Sequence, residues 1–433
     1  MRVNTILLAL LTLLPVTVNA TGAKSVGLGD AVSAAITNNL SIKLAAAQDD
    51  AARAAVLQNA SALLPTVLGT ASQTRTFKYN INAVMGMGGT VGPFNTFDMR
   101  LQLTQSLFDY ASIERYKAAK AGTELSEQAK ELAREQVAAA AELAYIDAAR
   151  AHNAVVMAQA DFDLAKKLLE LAQNQHDNGL VTGLDVARAK TRLSDAQVFL
   201  LNAQSSERQS AIRLKRVAGW PLDTELALID DIDTAAQAAQ GVEELVCAAS
   251  SARPELKMYR TQARMDLMAL SAAKSARLPV LSVSGNYGLS GNQADSNAFE
   301  TSGIGAYLSV PLFTGGSITA AVRTAQSAVA QSGAKLEDAR IQIEEDVRLS
   351  GEIAQEAQQE TELARERVAL AQQELAMSQD RYAQGVGDNI EVVTAQVELA
   401  NVHNSYVTAV AKNQTARVNL ALAAGKAQSF TLR

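Results

Sequence analysis

Two stretches of this chain contain no proline, residues 94–220 and 312–433, and they run for 127 and 122 residues. Both are rich in Ala, Glu, Gln, Leu, Arg and Lys, the strong helix formers. Proline inside a helix costs about 3 kcal/mol, so its absence over such lengths, in this composition, predicts very long helices. Aromatic residues are only 4% of the chain, too few for an ordinary globular core, because Phe, Tyr and Trp normally supply much of the buried area. A compact multidomain enzyme is therefore disfavoured. No apolar run of 18 residues follows the N-terminus, which argues against a helical membrane protein; the individually weak strand signals of a membrane β-barrel stay compatible with the sequence.

Residues 1–20 carry one positive charge at Arg2, an apolar stretch over 6–14, Pro15, and Val18-Asn19-Ala20 as a small-residue cleavage site. This pattern predicts a secretory signal peptide, since nine apolar residues are too few to span a bilayer. No cysteine follows that site, so lipid attachment there is not expected. The single cysteine, Cys247, lies in an apolar stretch, and a buried structural thiol is its expected role. The chain is acidic, with 39 Lys and Arg against 45 Asp and Glu, and it has no basic cluster that would suit nucleic acid.

The two proline-free stretches belong to an internal repeat. Leu107-Phe108-Asp109-Tyr110-Ala111-Ser112-Ile113 aligns with Leu312-Phe313-Thr314-Gly315-Gly316-Ser317-Ile318, an offset of 205. Asn178-Gly179-Leu180-Val181 aligns with Gln384-Gly385-Val386-Gly387 at 206, as does Ala218-Gly219 with Ala424-Gly425. Leu64-Pro65 aligns with Leu278-Pro279 at 214, so the segment between this proline and the Leu-Phe motif is nine residues longer in the first half.

Period supports the helices. Positions 343, 347, 350, 354, 357, 361, 364, 368, 371, 375, 378 and 382 are all uncharged, although 14 of the 40 residues over 343–382 carry charge. Twelve uncharged positions would arise by chance in under ~1% of cases at a fixed register. The positions 206 residues earlier, from Val137 to His176, are uncharged too. Many of these seam residues are Ala or Ser rather than Leu and Ile, which favours helices that pack closely on two sides over a free coiled-coil dimer. Residues 112–176 would form a helix of about 98 Å. The helix over 184–218 reaches half as far, and 28–63, also read as helix, would stack on it to complete a second column.

Between these helices the period changes to two. Leu281, Val283, Tyr287 and Leu289 alternate with Ser282, Ser284, Asn286 and Gly288; Ile304, Ala306, Leu308, Val310 and Leu312 alternate with Gly305, Tyr307, Ser309 and Pro311. In the first half Phe97, Met99, Leu101 and Leu103 alternate with Asp98, Arg100, Gln102 and Thr104, while the partner strand near 67–79 is less regular. Such alternation over ~9 to 11 residues suits a strand with one face to lipid and one to a wet lumen. Four strands cannot close a barrel, so assembly is required, and three chains would give twelve strands.

With these features, the sequence resembles the TolC-type outer-membrane efflux protein family (outer membrane factors). The resemblance rests on the signal peptide, the tandem halves, the Leu312-Phe313-Thr314-Gly315-Gly316 turn from strand to helix, Arg253-Pro254-Glu255-Leu256 opening the second repeat, and the helix turns at Gly179 and Gly385. It implies a mainly α fold with a membrane β part: long antiparallel α-hairpins forming a trimeric α-barrel continuous with a 12-stranded transmembrane β-barrel. It also implies a location in the outer membrane with a periplasmic extension, and a periplasmic adaptor and an inner-membrane pump as partners. The expected organisation is a signal peptide (1–20), a first repeat (21–219; β-hairpin 64–108, helical hairpin 112–218), an equatorial linker (220–252), and a second repeat (253–433; β-hairpin 279–313, helical hairpin 317–424). The expected function is a passive exit duct for small toxic compounds, with no catalytic residue, cofactor or metal. The alternatives are the outer-membrane part of a type I protein secretion system and, from another class, a periplasmic coiled-coil adaptor.

The resemblance also places acidic rings just inside the periplasmic entrance, at the positions of Asp185 and Glu391. Thr182-x-x-Asp185 and Asp388-x-x-Glu391 read equally well as capping boxes that start the second helix of each hairpin. The further acid found in some members, three residues on, is replaced here by Arg188 and Thr394. Gly179, Leu180, Val181, Gly385, Val386 and Gly387 are candidates for adaptor contact or simply reverse the chain. Asp98 and Arg100 are the lumen-facing charges. His152, His176 and His403 lack zinc-ligand spacing, and His176, at a seam position, is expected to pack.

Overall fold

The computed structural model describes residues 24–432 apart from 81–88, 231, 233–240, 295–297, 385, 387 and 388, and gives no side-chain surroundings at 78–80, 89–92 and 389. The signal peptide expected over 1–20, Gly385 and Gly387 thus lie outside the described residues. In chain order the elements are β1 (Lys24–Val26), α1 (Leu28–Asn38), α2 (Leu40–Ser61), β2 (Thr66–Asn80), β3 (Gly89–Phe108), α3 (Tyr110–Asp177), α4 (Gly183–Ala218), β4 (Leu226–Leu228), α5 (Val242–Ala252), α6 (Pro254–Ser275), β5 (Val280–Gly291), β6 (Phe299–Ser309), α7 (Ser317–Ala383) and α8 (Asn389–Ala423). A sequence of helix, β-hairpin, long helix and shorter helix therefore occurs twice. The long helices α3 and α7 have 68 and 67 residues, about 100 Å each at 1.5 Å per residue.

The helices lie side by side in two registers. On the sheet side the neighbours run α2, α3, α6, α7; on the hairpin side they run α4, α3, α8, α7. Each long helix thus spans both registers, while α2 and α4, and α6 and α8, share the shorter columns. The 3.5-residue seam explains the packing. Of its twelve positions on α7, eight are buried and none is exposed; those on α3 are buried or half-buried except His176. Ala357, Ala364 and Ala371 of α7 are among the buried ones, and side chains this small let helix axes come to the lower end of the usual 8–10 Å.

Glycines end the columns. Gly219 and Gly425 follow α4 and α8 at φ +69° and +70°. Trp220 N–H donates to Lys215 O at 2.9 Å and Lys426 N–H to Ala421 O at 2.8 Å, the wide bond of a Schellman cap. A Cβ on Gly219 would lie 2.6 Å from the Asn38 Cβ, and one on Gly425 would lie 3.3 Å from the Arg253 backbone. The two glycines therefore hold the end of each shorter helix against the helix above it. The sequence reading of 28–63 as one helix is corrected here. Asn39 interrupts it, its side chain accepting from Ser41 N–H at 2.9 Å as the cap of α2 and donating to Val217 O at 3.0 Å. That bond ties the α1–α2 junction to the C-terminus of α4.

Around the middle of the long helices lies a belt of small elements. β1 pairs in parallel with β4, and Tyr145 of α3, fully buried, donates to Val26 O at 3.1 Å and accepts from Asp230 N–H at 3.3 Å. Val26, Leu28, Ala31 and Ala35 pack there against Val137, Ala141, Tyr145 and Leu214. Two further expectations are corrected. Cys247 is exposed on α5, because α5 turns Leu245 and Ala249 inward instead. His176, in the last turn of α3, is exposed because its ring reaches across the hairpin turn, with Nδ1 3.1 Å from Val181 O, rather than filling the seam.

Candidate functional site

β2, β3, β5 and β6 form one antiparallel sheet in the order β2-β3-β5-β6. Its register decides which residues share a face, since directly paired residues project to the same side. Met99 pairs with Leu289 and Ala71, Leu101 with Tyr287 and Gly69, and Leu103 with Val67 and Gly285. Leu281 pairs with Leu308, Val283 with Ala306, and Gly285 with Ile304. One face is thus mainly apolar across all four strands, interrupted by Gln73, Arg75, Gln105, Glu300 and Ser302, and Val67, Met99, Leu101, Leu103, Ile304 and Leu308 on it are exposed. The other face carries Thr70, Ser72, Asp98, Arg100, Gln102, Ser284, Asn286, Ser290 and Thr301. Leu68, Phe94, Val280, Phe299 and Tyr307 are its apolar or aromatic exceptions, and Leu68 agrees with the weaker alternation of the first strand.

Asp98 and Arg100 lie on the polar face, as their alternation predicts. They form an ion pair with each other, and Ser290 Oγ donates to Asp98 at 3.1 Å. Pairing neutralises both, so this position presents a dipole rather than a net charge.

At the far end of the molecule the two helical hairpins turn. Gly179, at φ +71°, closes α3, with its N–H donating to His176 O at 2.8 Å and Leu180 N–H to Gln175 O at 2.9 Å. Leu180 is 75% exposed and Val386, in the matching turn, 70% exposed. Val181 instead packs inward with Leu164 and Leu168 of α3 against Leu375, Val392 and Leu399 of the second hairpin. Val181 is therefore part of the joint between the hairpins, while Leu180 and Val386 face outward.

Asp185 caps α4. Its Oδ2 accepts from Thr182 N–H at 3.0 Å and Thr182 Oγ1 at 2.7 Å, and Arg188 approaches Oδ1 at 3.7 Å. Its side chain is only 15% exposed. Glu391 is 48% exposed and accepts from Arg381 Nε at 3.3 Å across the turn. The capping box holds for Asp185; at Glu391 the capping partner Asp388 lies outside the described residues. Each of the two acids thus carries a cation of its own hairpin.

Sequence reasoning missed two buried polar groups. Glu142, on α3, is 0% exposed, and among the described residues neither carboxyl oxygen has a hydrogen-bond partner. Burial, with Glu135 one heptad away adding to it, pushes its carboxyl up to about 8. Glu135 is held by the segment after α8, accepting from Ala427 N–H at 2.8 Å and Gln428 Nε2 at 2.8 Å. The second group joins three helices: His403 of α8 lies 3.9 Å from Asp161 of α3, and the charge of Arg192 on α4 also acts on Asp161. Burial raises the Asp161 carboxyl above its ordinary value, and the His403 and Arg192 charges oppose that rise. Among the described residues no group of His, Cys, Asp and Glu is arranged to hold a metal ion. No described helix is long and apolar enough to cross a membrane.

The sheet with one mainly apolar face is thus set at one end of paired helices of about 100 Å. The profile described as outer membrane efflux protein matches residues 31–220 and 245–426. The chain belongs to the outer membrane efflux protein family. Alkaline protease secretion protein AprF of Pseudomonas aeruginosa is 25% identical over 328 residues, covering 73% of this chain and 67% of that protein. Outer membrane protein TolC of Vibrio cholerae is 27% identical over 311 residues, covering 70% and 68%. Among solved structures, the CmeC outer membrane channel of Campylobacter jejuni superposes with a TM-score of 0.81 at 20% identity, covering 94% of this chain and 87% of that one. As a member of the efflux protein family the chain is an outer-membrane channel component whose helices form its large periplasmic part.

Proposed function

We propose that three copies of this chain assemble into one continuous duct, a 12-stranded β-barrel in the outer membrane opening into a tunnel of twelve helical columns. The observation that carries this reading is the pair of unfilled edges on the protomer. Among the described residues β2 and β6 leave the two edges of the sheet unpaired, which lipid does not tolerate. On the hairpin side, the outer helices are α4 and α7. Leu184, Val198 and Ile212 on α4, and Leu349, Leu363, Leu370 and Met377 on α7, are exposed and spaced by multiples of seven, as a helix seam awaiting a partner would be. The charges are complementary as well: α4 carries seven basic and three acidic residues, and α7 twelve acidic and seven basic. Setting α4 of one copy beside α7 of the next fills both stripes and pairs opposite charge. The division into two repeats, 21–219 and 253–433, joined through 220–252, goes with this assembly, each repeat giving one β-hairpin and one helical hairpin.

The duct performs no chemistry and is powered from elsewhere. A periplasmic adaptor docks on the hairpin turns, with Gly179, Leu180 and Val386 as its contacts, and connects the duct to an inner-membrane pump. The cargo is small toxic compounds. The second reading, export of a protein, is favoured by the secretion role that AprF carries in its name. Cells lacking this chain separate the two: intracellular accumulation of small toxic compounds supports efflux, and retention of a secreted protein with unchanged compound tolerance supports export. Neither defect would sink the duct.

At the entrance, Glu391 is the gate candidate and Asp185 chiefly a helix cap, because Glu391 is 48% exposed and paired with Arg381 across the turn, whereas Asp185 is 15% exposed and closes the capping box of α4. In planar bilayers, block of the channel by divalent cations is expected to weaken in Glu391→Ala and to change little in Asp185→Ala. Equal cation block in wild type and Glu391→Ala removes Glu391 from the gate.

A further inference from the structure

On the polar face of the sheet, two glycines of β6 lie under side chains that would otherwise stand away from the wall. The position of a Cβ on Gly305 is 2.9 Å from the Tyr307 Oη and 3.1 Å from its Cε2 and Cζ. The Tyr307 ring therefore lies back along its own strand, over Gly305. A Cβ on Gly303 would be 3.2 Å from the Asn286 Nδ2, so Asn286 of β5, paired with Gly303, lies over that glycine in the same way. Residues i and i+2 of a strand share a face at about 6 to 7 Å, and side chains normally stand roughly perpendicular to the sheet. A ring can lie along the strand only where the residue it covers has no Cβ. Glycine weakens a strand interior and commonly marks a close approach by another group; here that group is a side chain.

We propose that Gly303 and Gly305 are recesses in the lumenal wall, and that Gly305, by letting the Tyr307 ring lie flat in it, keeps that ring out of the bore of the membrane part of the duct. This rests on the duct reading above, which makes the polar face the lumen. Tyr307 is 60% exposed and so is not locked by packing. An added Cβ at 305 displaces the ring to another staggered rotamer, and the open side is the lumen. Three copies would then place three phenol rings in one bore.

The test is polymer-exclusion sizing in planar bilayers, with polyethylene glycols added on the side of the sheet so that the cut-off reports the barrel and not the hairpin turns. Gly305→Ala is expected to shift the cut-off to smaller polymers. Tyr307→Ala, which needs no new space, is expected to leave it at or slightly above the wild-type size, because the ring already lies against the wall. The double variant is expected to match Tyr307→Ala. An unchanged cut-off in Gly305→Ala, a large increase in Tyr307→Ala, or a double variant as narrow as Gly305→Ala overturns the inference while the duct itself stands. A wild-type chain that conducts nothing overturns the duct reading and this inference with it.

Discussion

Replacing Glu142 with Gln is expected to remove most of the loss of stability that this protein suffers between about pH 5 and pH 9. Glu142 is fully buried with both oxygens unpartnered among the described residues, and burial next to Glu135 raises its carboxyl from 4.5 to about 8. The folded state therefore binds the proton more tightly than the unfolded chain. Stability from this group is fully present below the unfolded value near 4.5 and is lost as pH rises through about 8. At about 1.4 kcal/mol per pH unit, the loss reaches as much as about 5 kcal/mol per chain above pH 8. Glutamine has the shape of the protonated acid and no charge to bury. At pH 5 the variant should unfold within about 1 kcal/mol of wild type, and at pH 9 it should be the more stable by several kcal/mol. Thermal unfolding of the detergent-extracted protein at the two pH values reads the difference. Parallel pH profiles for the two proteins would show that the Glu142 carboxyl is not buried as a neutral acid.

The second large effect is a contrast between neighbours. Leu101→Arg puts a cation on the apolar face in mid-strand, opposite Tyr287, and Gln102→Arg puts the same residue on the polar face, opposite Asn286. An arginine facing the middle of the bilayer costs about 2–4 kcal/mol, whereas a lumenal one stays in water. Leu101→Arg should therefore deplete the assembled protein in the outer membrane by roughly ten-fold or more, and Gln102→Arg should leave its amount near wild type. Quantitative blotting of outer-membrane fractions measures both. Equal depletion by the two substitutions would mean that the sheet does not separate lipid from lumen at this register.

How much of this was legible in the sequence follows from the range of the interactions involved. The seam on α3 and α7 could be read because helix period is local, and the alternation at Phe97, Met99, Leu101 and Leu103 was readable for the same reason. The strand pairing then fixes the faces without surprise, since a one-residue slip would turn Leu101 toward water. Local signals also located Gly179 and Gly219, because a left-handed residue after a long helix favours glycine. The break at Asn39 was missed because it is specified by Val217, on a helix almost 180 residues away. Glu142 was missed for a similar reason. Its isolation in the apolar stretch 137–146 was a visible signal, but the segment that covers this part of α3 lies far along the chain, near Ala427. Cys247 shows the opposite error, in which an apolar neighbourhood in sequence was taken for burial although only one stripe of a short helix faces inward. At the hairpin turns, Arg188 stood in view as a partner for Asp185, three residues on; the Arg381–Glu391 pair depends on how the turn folds back and had no local signature.

The whole account depends on one chain being too little to close either the sheet or the ring of helices. The most direct measurement is the protein mass of the complex extracted from outer membranes in mild detergent, by light scattering corrected for bound detergent. Three chains per particle is the result expected from four strands and four helical columns per protomer with α4 set against a neighbour's α7. A particle containing one chain would contradict it, because the edges of β2 and β6 and the apolar stripes of α4 and α7 would then have nothing to cover them.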